Sequence, residues 1–188
     1  MNYVSLLIKI LPVFFFLQSC DPNFDLGPLP IGGDFSYEDK SGKLVTLKEF
    51  KEPVLLIFFG YTQCPDFCPN MLSKIKRTQS LLPKDKKNLF RTIFISIDPK
   101  RDGSEVVQKY VDFYLDNANG YSFSNTVTDK IVKQYAAYVE DSKDGVTIDH
   151  STYVYVLDHN RKTRVLLKSN ETAEHFAEII SVLSSNSI

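Results

Sequence analysis

Six consecutive apolar residues, Val54-Leu55-Leu56-Ile57-Phe58-Phe59, end at Gly60 and lead without a break into Tyr61-Thr62-Gln63-Cys64-Pro65-Asp66-Phe67-Cys68-Pro69. A run this short, β-branched and aromatic, with no polar alternation, predicts a strand covered on both faces. The sequence downstream supplies helices to cover it. Met71, Leu72, Ile75, Leu81 and Leu82 fall mainly on one helical stripe, which Pro83 stops. Residues 90–97 read as a second buried strand. Residues 104–115 carry Val106, Val107, Tyr110, Val111 and Tyr114 at helical spacing, and Asp129 can cap a further helix bearing Ile131, Val132, Tyr135, Ala136 and Val139. Residues 152–157 and 164–167 read as strands around the turn Asp158-His159-Asn160-Arg161, and 172–183 as a closing amphipathic helix. Upstream, Phe35-Ser36-Tyr37 and residues 44–47 flank Lys40-Ser41-Gly42-Lys43 as a hairpin. Strands alternating with helices of this length imply an α/β domain, a central sheet with helices on both faces.

The chain has 188 residues, enough for one domain of ordinary size, and at 43% hydrophobic it is too apolar to be a disordered tail. Lys and Arg total 22 against 23 Asp and Glu, a formal net charge of −1. That balance provides no basic field for a phosphate backbone, which excludes nucleic acid as the expected partner. The Lys84-Asp85-Lys86-Lys87 cluster reads as a solvated loop between a helix and a strand.

At the N-terminus, Lys9 precedes the apolar run Ile10 to Leu17, far shorter than the roughly 20 residues a spanning helix needs. It reads as an export signal, residues 1–19. The signal ends at Leu17-Gln18-Ser19-Cys20, which resembles a bacterial lipobox, although Gln18 stands where a small residue is usual. Cys20 is then the lipidation site, and an acyl anchor holds the protein at a membrane surface. Asp21 resembles a signal for retention at the inner membrane, with the domain facing the periplasm or cell exterior. Residues 20–33, rich in Pro and Gly, read as anchor and tether, and 34–185 as the folded domain.

Cys64 and Cys68 carry the chemistry. They follow the central strand and open a helix, so they lie near the carboxyl edge of the sheet, where open α/β sheets place their ligand sites. Four residues apart on a helix, two sulfurs can converge on one ion or bond to each other. A helix start also favours thiolate over thiol. The bland alternative is a structural disulfide. Closing so short a loop restricts the unfolded chain little, about 2 kcal/mol against about 3 for a fifteen-residue loop, so a stapling role is the poorer reading. Of the three histidines, His159 sits in a polar turn and His175 beside Glu171, Glu174 and Glu178, and both read as exposed. His150 stands where a loop enters a predicted buried strand, which fits a satisfied polar residue as well as a ligand.

Gly60-Tyr61-Thr62, Cys64-Pro65-Asp66-Phe67-Cys68-Pro69, Ser96-Ile97-Asp98-Pro99-Lys100-Arg101-Asp102 and Asp149-His150-Ser151 occur in the order and approximate spacing of the Sco/SenC family of copper chaperones. The resemblance runs from about residue 32 to 183. It implies a thioredoxin-like fold with a mixed sheet, copper held by Cys64, Cys68 and His150, and a role in assembling the copper A centre of cytochrome c oxidase, in subunit II. Two thiolates and an imidazole are a soft set suited to Cu(I), with Cu(II) a second state, whereas a closed zinc site normally takes four protein ligands. The expected molecule is a monomeric, membrane-anchored carrier rather than an enzyme. Asp98 and Asp102 match acidic positions of the family; the simpler reading makes Asp98-Pro99 a turn and Asp102 a cap of the next helix.

The alternative is a thioredoxin-like thiol-disulfide oxidoreductase acting through Cys64 and Cys68 on a dedicated client. The three-residue spacer departs from C-x-x-C, and no proline occurs between Gly145 and Tyr153. A peroxiredoxin-like peroxidase ranks last, because Thr62 stands two residues before Cys64, not three.

Overall fold

The computed structural model describes residues 26–83, 88–142 and 146–185. The export signal, Cys20 and the Lys84–Lys87 cluster lie outside the described residues. The chain begins with the expected hairpin, β1 (Ser36–Glu38) and β2 (Leu44–Thr46), paired antiparallel. Then come β3 (Val54–Gly60), α1 (Phe67–Leu81), β4 (Phe90–Ser96), α2 (Ser104–Tyr114), β5 (Ala118–Tyr121) and α3 (Asn125–Gln134). A second hairpin, β6 (Val139–Asp141) and β7 (Ile148–His150), precedes β8 (Val154–Leu157), β9 (Thr163–Leu167) and α4 (Ala173–Ser185).

The main sheet has the order β5-β4-β3-β8-β9, with β3 at its centre, parallel to β4 and antiparallel to β8. It is therefore mixed. Every residue of β3 is buried, as its unbroken apolar run requires. Successive side chains of a strand face opposite ways, and the two phenylalanines of β3 show which helices lie where. Phe58 packs against Phe67 of α1 and Phe94 of β4, and Phe94 in turn against Tyr110 of α2. Phe59 packs on the other side, against Tyr155 and against Tyr135 at the end of α3. The expectation of helices on both faces is met.

Three local expectations fail. The helix assigned to Asp129 starts earlier: Ser124 is its cap, its Oγ accepting the Val127 N–H at 3.4 Å, and Asp129 lies inside α3. That helix also stops short, at Gln134. Tyr135 is wholly buried, its hydroxyl donates to the Gly33 carbonyl at 2.7 Å, and Ala136 follows in the left-handed region at φ 49°. Val139, placed by periodicity on that helix, belongs instead to β6. His150, expected in the loop before the next buried strand, instead ends β7 in a separate two-stranded sheet.

At the N-terminal side, Leu26 packs on the core, the Leu29 N–H donates to the Thr163 carbonyl at 2.8 Å, and the Gly32 N–H donates to that of Gln134 at 2.8 Å. The segment before Asp34 thus already lies along the domain. Among the described residues, no helix is long and apolar enough to cross a membrane.

Candidate metal centre

The end of β3 and the start of α1 build the site together. Directly after Gly60 the chain turns, with the Cys64 N–H donating to the Tyr61 carbonyl at 3.2 Å. The first N–H groups of a helix have no partner inside it. In α1, Pro69 has no such group to satisfy, the Asp66 side chain at the cap position accepts none, and the Cys68 N–H donates to Cys64 Sγ at 3.4 Å. A sulfur therefore occupies the place usually taken by a capping oxygen. Both thiols are free; Cys64 is 8% exposed and Cys68 wholly buried.

The two sulfurs differ in charge as well as in depth. Hydrogen bonding with the Cys68 side chain, joined by bonds from the His150 ring and from the Cys68 and Asp66 backbones, outweighs burial and brings the Cys64 thiol down to about 3. Cys68 moves the other way, because its proton is engaged by the Cys64 sulfur and burial disfavours its charge. Over the neutral range the pair holds one negative charge and one proton. The sign of the linkage follows. Cys64's contribution to stability is complete above the ordinary thiol value of 9.0, declines as pH falls and is gone below about 3. The raised Cys68 contributes below the ordinary thiol range and loses that contribution as pH rises towards its elevated value. At about pH 5, where an ordinary thiol is protonated, a small alkylating reagent is expected to modify Cys64 and spare Cys68. Mass-spectrometric mapping checks this; equal labelling of the two cysteines would contradict the asymmetry.

His150 reaches the pair from the second hairpin. Its Nδ1 lies 2.9 Å from the Ser151 carbonyl, which leaves Nε2 for the sulfurs. The ring stands edge-on between Tyr61 and Phe67, with centroids 6.1 and 5.9 Å away. The ligand atoms of Cys64, Cys68 and His150 all lie within 4.8 Å of one another. Sequence spacing alone did not show that convergence.

Asp98 and Asp102 are not part of this group. Asp102 is 1% exposed and accepts from the Thr62 N–H at 3.0 Å, Thr62 Oγ1 at 2.6 Å and Ser96 Oγ at 2.6 Å, fastening the cysteine loop to the end of β4. It does not cap α2, whose cap position is Gly103. Asp98 does form the expected turn, its carbonyl accepting the Arg101 and Asp102 N–H groups, and its carboxylate pairs with Arg101. His159 is exposed, while His175 is half-buried, 3.5 Å from Glu178 Oε2. Neither belongs to the group. Tyr61, Phe67 and Arg101 line or support the site without having been assigned a role; the first two are the aromatics nearest the cysteines in sequence, the one signal that could have found them.

A description of the SCO1/SenC family matches residues 23–184. The chain belongs to that family. It is 33% identical over 172 residues to a SCO2-like protein of Rickettsia felis, a match covering 85% of this chain and 83% of the relative. Among solved structures, Bradyrhizobium japonicum ScoI with copper bound is 32% identical with a TM-score of 0.67, the match covering 81% of this chain and 99% of the other. Arabidopsis thaliana ScoI with copper bound, 25% identical, gives a TM-score of 0.73, with 84% and 99% covered. The fold of this Sco chain is thioredoxin-like, as the motifs implied.

Two sulfurs and one imidazole in a Sco scaffold make a soft, three-donor set, which favours Cu(I) over the harder divalent ions. A closed tetrahedral zinc site takes a fourth protein ligand, and among the described residues the group consists of these three donors.

Proposed function

We propose that this chain is a membrane-anchored copper carrier that holds Cu(I) through Cys64, Cys68 and His150 and delivers it to the copper A centre in subunit II of cytochrome c oxidase. The observation that carries this reading is the convergence of the three donors within 4.8 Å at the end of the central strand. Copper-bound Sco relatives support it, as does the likeness to BsSco, a member of the Sco family of cytochrome c oxidase assembly proteins. In this reading residues 1–19 are an export signal, Cys20 carries the lipid, and the domain from residue 34 to 185 faces the periplasm or cell exterior from the cell membrane. Anchoring confines the carrier to the surface that holds its client.

A second reading rests on the thiolate character of Cys64. A low-pKa sulfur beside a protonated one is also the arrangement of a dithiol that reduces a partner disulfide. In that role Cys64 and Cys68 give two electrons to the client's disulfide and become a disulfide themselves, so the client's cysteines are reduced before a separate, reduced and copper-loaded copy delivers metal.

Cells lacking this chain and grown at limiting copper are expected to assemble an oxidase without its copper A absorption. The wild-type chain or added copper salt should restore it, and a chain carrying His150→Ala should not. Full copper A content without the chain would overturn delivery, and rescue by His150→Ala would remove the imidazole from the ligand set.

A further inference from the structure

His150 sits on an arm that the main sheet does not hold. β6 and β7 pair with each other alone, and an isolated two-stranded ribbon is marginally stable in water. Behind the arm, Val139 and Ile148 touch the core, but with Glu140 they also line a cavity of ≈ 220 Å³ shared with Asp98, Pro99, Lys100 and α3, so that flank is only partly packed on the body. At the arm's base, the Ser151 N–H donates to the Tyr138 carbonyl at 2.9 Å and the Tyr138 N–H to Ser151 Oγ at 2.8 Å. Both bonds lie within the arm and do not fix its angle to the body.

Among the described residues, Tyr61 and Arg101 of the body reach its backbone. The Ile148 N–H donates to the Tyr61 hydroxyl at 3.3 Å, and Arg101 Nη1 donates to the Val146 carbonyl at 2.9 Å. These two residues also hold each other, since the Arg101 guanidinium lies over the Tyr61 ring, 5.7 Å from its centroid. Each is anchored elsewhere: Arg101 pairs with Asp98, and Tyr61 is 2% exposed in the turn that carries Cys64. One unit thus receives the arm's backbone at residues 146 and 148, two residues before the imidazole.

We propose that Tyr61 and Arg101 are positioning residues that dock the β6–β7 arm and set how closely His150 approaches the two sulfurs. The proposal rests on the copper reading for its consequence, but the docking itself needs no metal. Arg101 is accessible enough to replace without opening the core, its side chain being 32% exposed. Tyr61→Phe removes the hydroxyl and keeps the ring.

The test uses the full chain with Cu(I) alone as the probe, and amide hydrogen exchange in the metal-free reduced protein. Arg101→Met and Tyr61→Phe should each speed exchange at Ile148, with exchange in β3 unchanged. Each should also weaken Cu(I) binding about 10- to 100-fold, the range for losing a group that orients a ligand. X-ray absorption should show a smaller nitrogen contribution with the sulfur contribution retained. Adding either change to His150→Ala should cause little further loss, because the docking would act through that ring. Unchanged exchange at Ile148 in both variants would overturn docking. Losses additive with His150→Ala would overturn the action through His150. A wild-type chain that binds Cu(I) without nitrogen would sink the copper reading, while the exchange data would still decide the docking.

Discussion

Reduced protein is expected to bind one Cu(I) ion, and protein oxidised to the Cys64–Cys68 disulfide to bind it at least a thousand-fold more weakly, an order-of-magnitude expectation for losing two anionic donors at once. In the reduced state Cys64 already carries the charge that a cation needs, and the Cys68 proton must leave as the metal arrives. Binding near neutral pH should therefore release about one proton per ion. Oxidation to the disulfide removes two electrons and leaves two neutral, weakly donating sulfurs in place of the anionic thiolates, so the imidazole alone remains a good donor. Competition with a Cu(I)-selective chelator, run on the two redox forms in weakly buffered solution, reads affinity and proton release together. Equal affinity in the two forms would move the metal away from the cysteines. Release of two protons would mean that Cys64 is not a thiolate beforehand.

Gly60→Ala is expected to damage both folding and metal binding, although residue 60 donates nothing to a metal. A Cβ at this position would lie 2.7 Å from Cys68 Sγ and 2.9 Å from the ring of Phe94. Real side chains do not tolerate such contacts. Phe94 is wholly buried and held between Phe58 and Tyr110, so it has little room to yield. The strain falls on Cys68 and on the first turn of α1. Overpacking of this kind costs about 1–3 kcal/mol, and the displaced sulfur should weaken Cu(I) binding as well. Chemical denaturation and chelator competition check the two effects separately. Wild-type stability with wild-type affinity would show that the backbone at the strand end shifts freely, contrary to the close packing described.

How much could be read from the sequence depended on how local each signal was. β3 announced itself because a strand buried on both sides has no polar positions, and the Cys64/Cys68 pair because four residues of helix bring two side chains together whatever the rest of the chain does. His150 was different. Its hairpin has three residues per strand, Val139–Asp141 and Ile148–His150, too few to show an alternation. Val139 also happened to continue the apolar spacing of α3. That helix ends because Tyr135 is drawn into the aromatic cluster of Phe59 and Tyr155, a tertiary demand that outranks local periodicity. The expectation that His150 is a ligand came from family resemblance, not from pattern. β5 escaped notice for a related reason: it is four residues long and contains Gly120, whose missing Cβ lets the backbone of Val107 in α2 approach.

Arg161 shows the same limit. It sits in the polar turn in which His159 reads as exposed, at φ 60°, yet it is 5% exposed. Its guanidinium donates to the carbonyls of Leu47 and Glu52, each at 3.0 Å, and to that of Phe50. Charged residues in polar turns are ordinarily solvated, and nothing in residues 158–161 signals a set of carbonyls more than a hundred positions away. The paired roles of Thr62 and Asp102 were hidden likewise, because the strand that brings them together lies between them.

The unequal depths of the two sulfurs have a consequence for traffic through the site. Cys68 is sealed beneath Gly60 and the first turn of α1, while Cys64 and the half-buried His150 face outward. In the proposed carrier role, an approaching molecule can contest only the outer pair, so the inner sulfur is the last to be stripped when copper departs. On that reading unloading is sequential and one-sided, and a recipient would have to present its own donors to the same narrow opening rather than surround the ion.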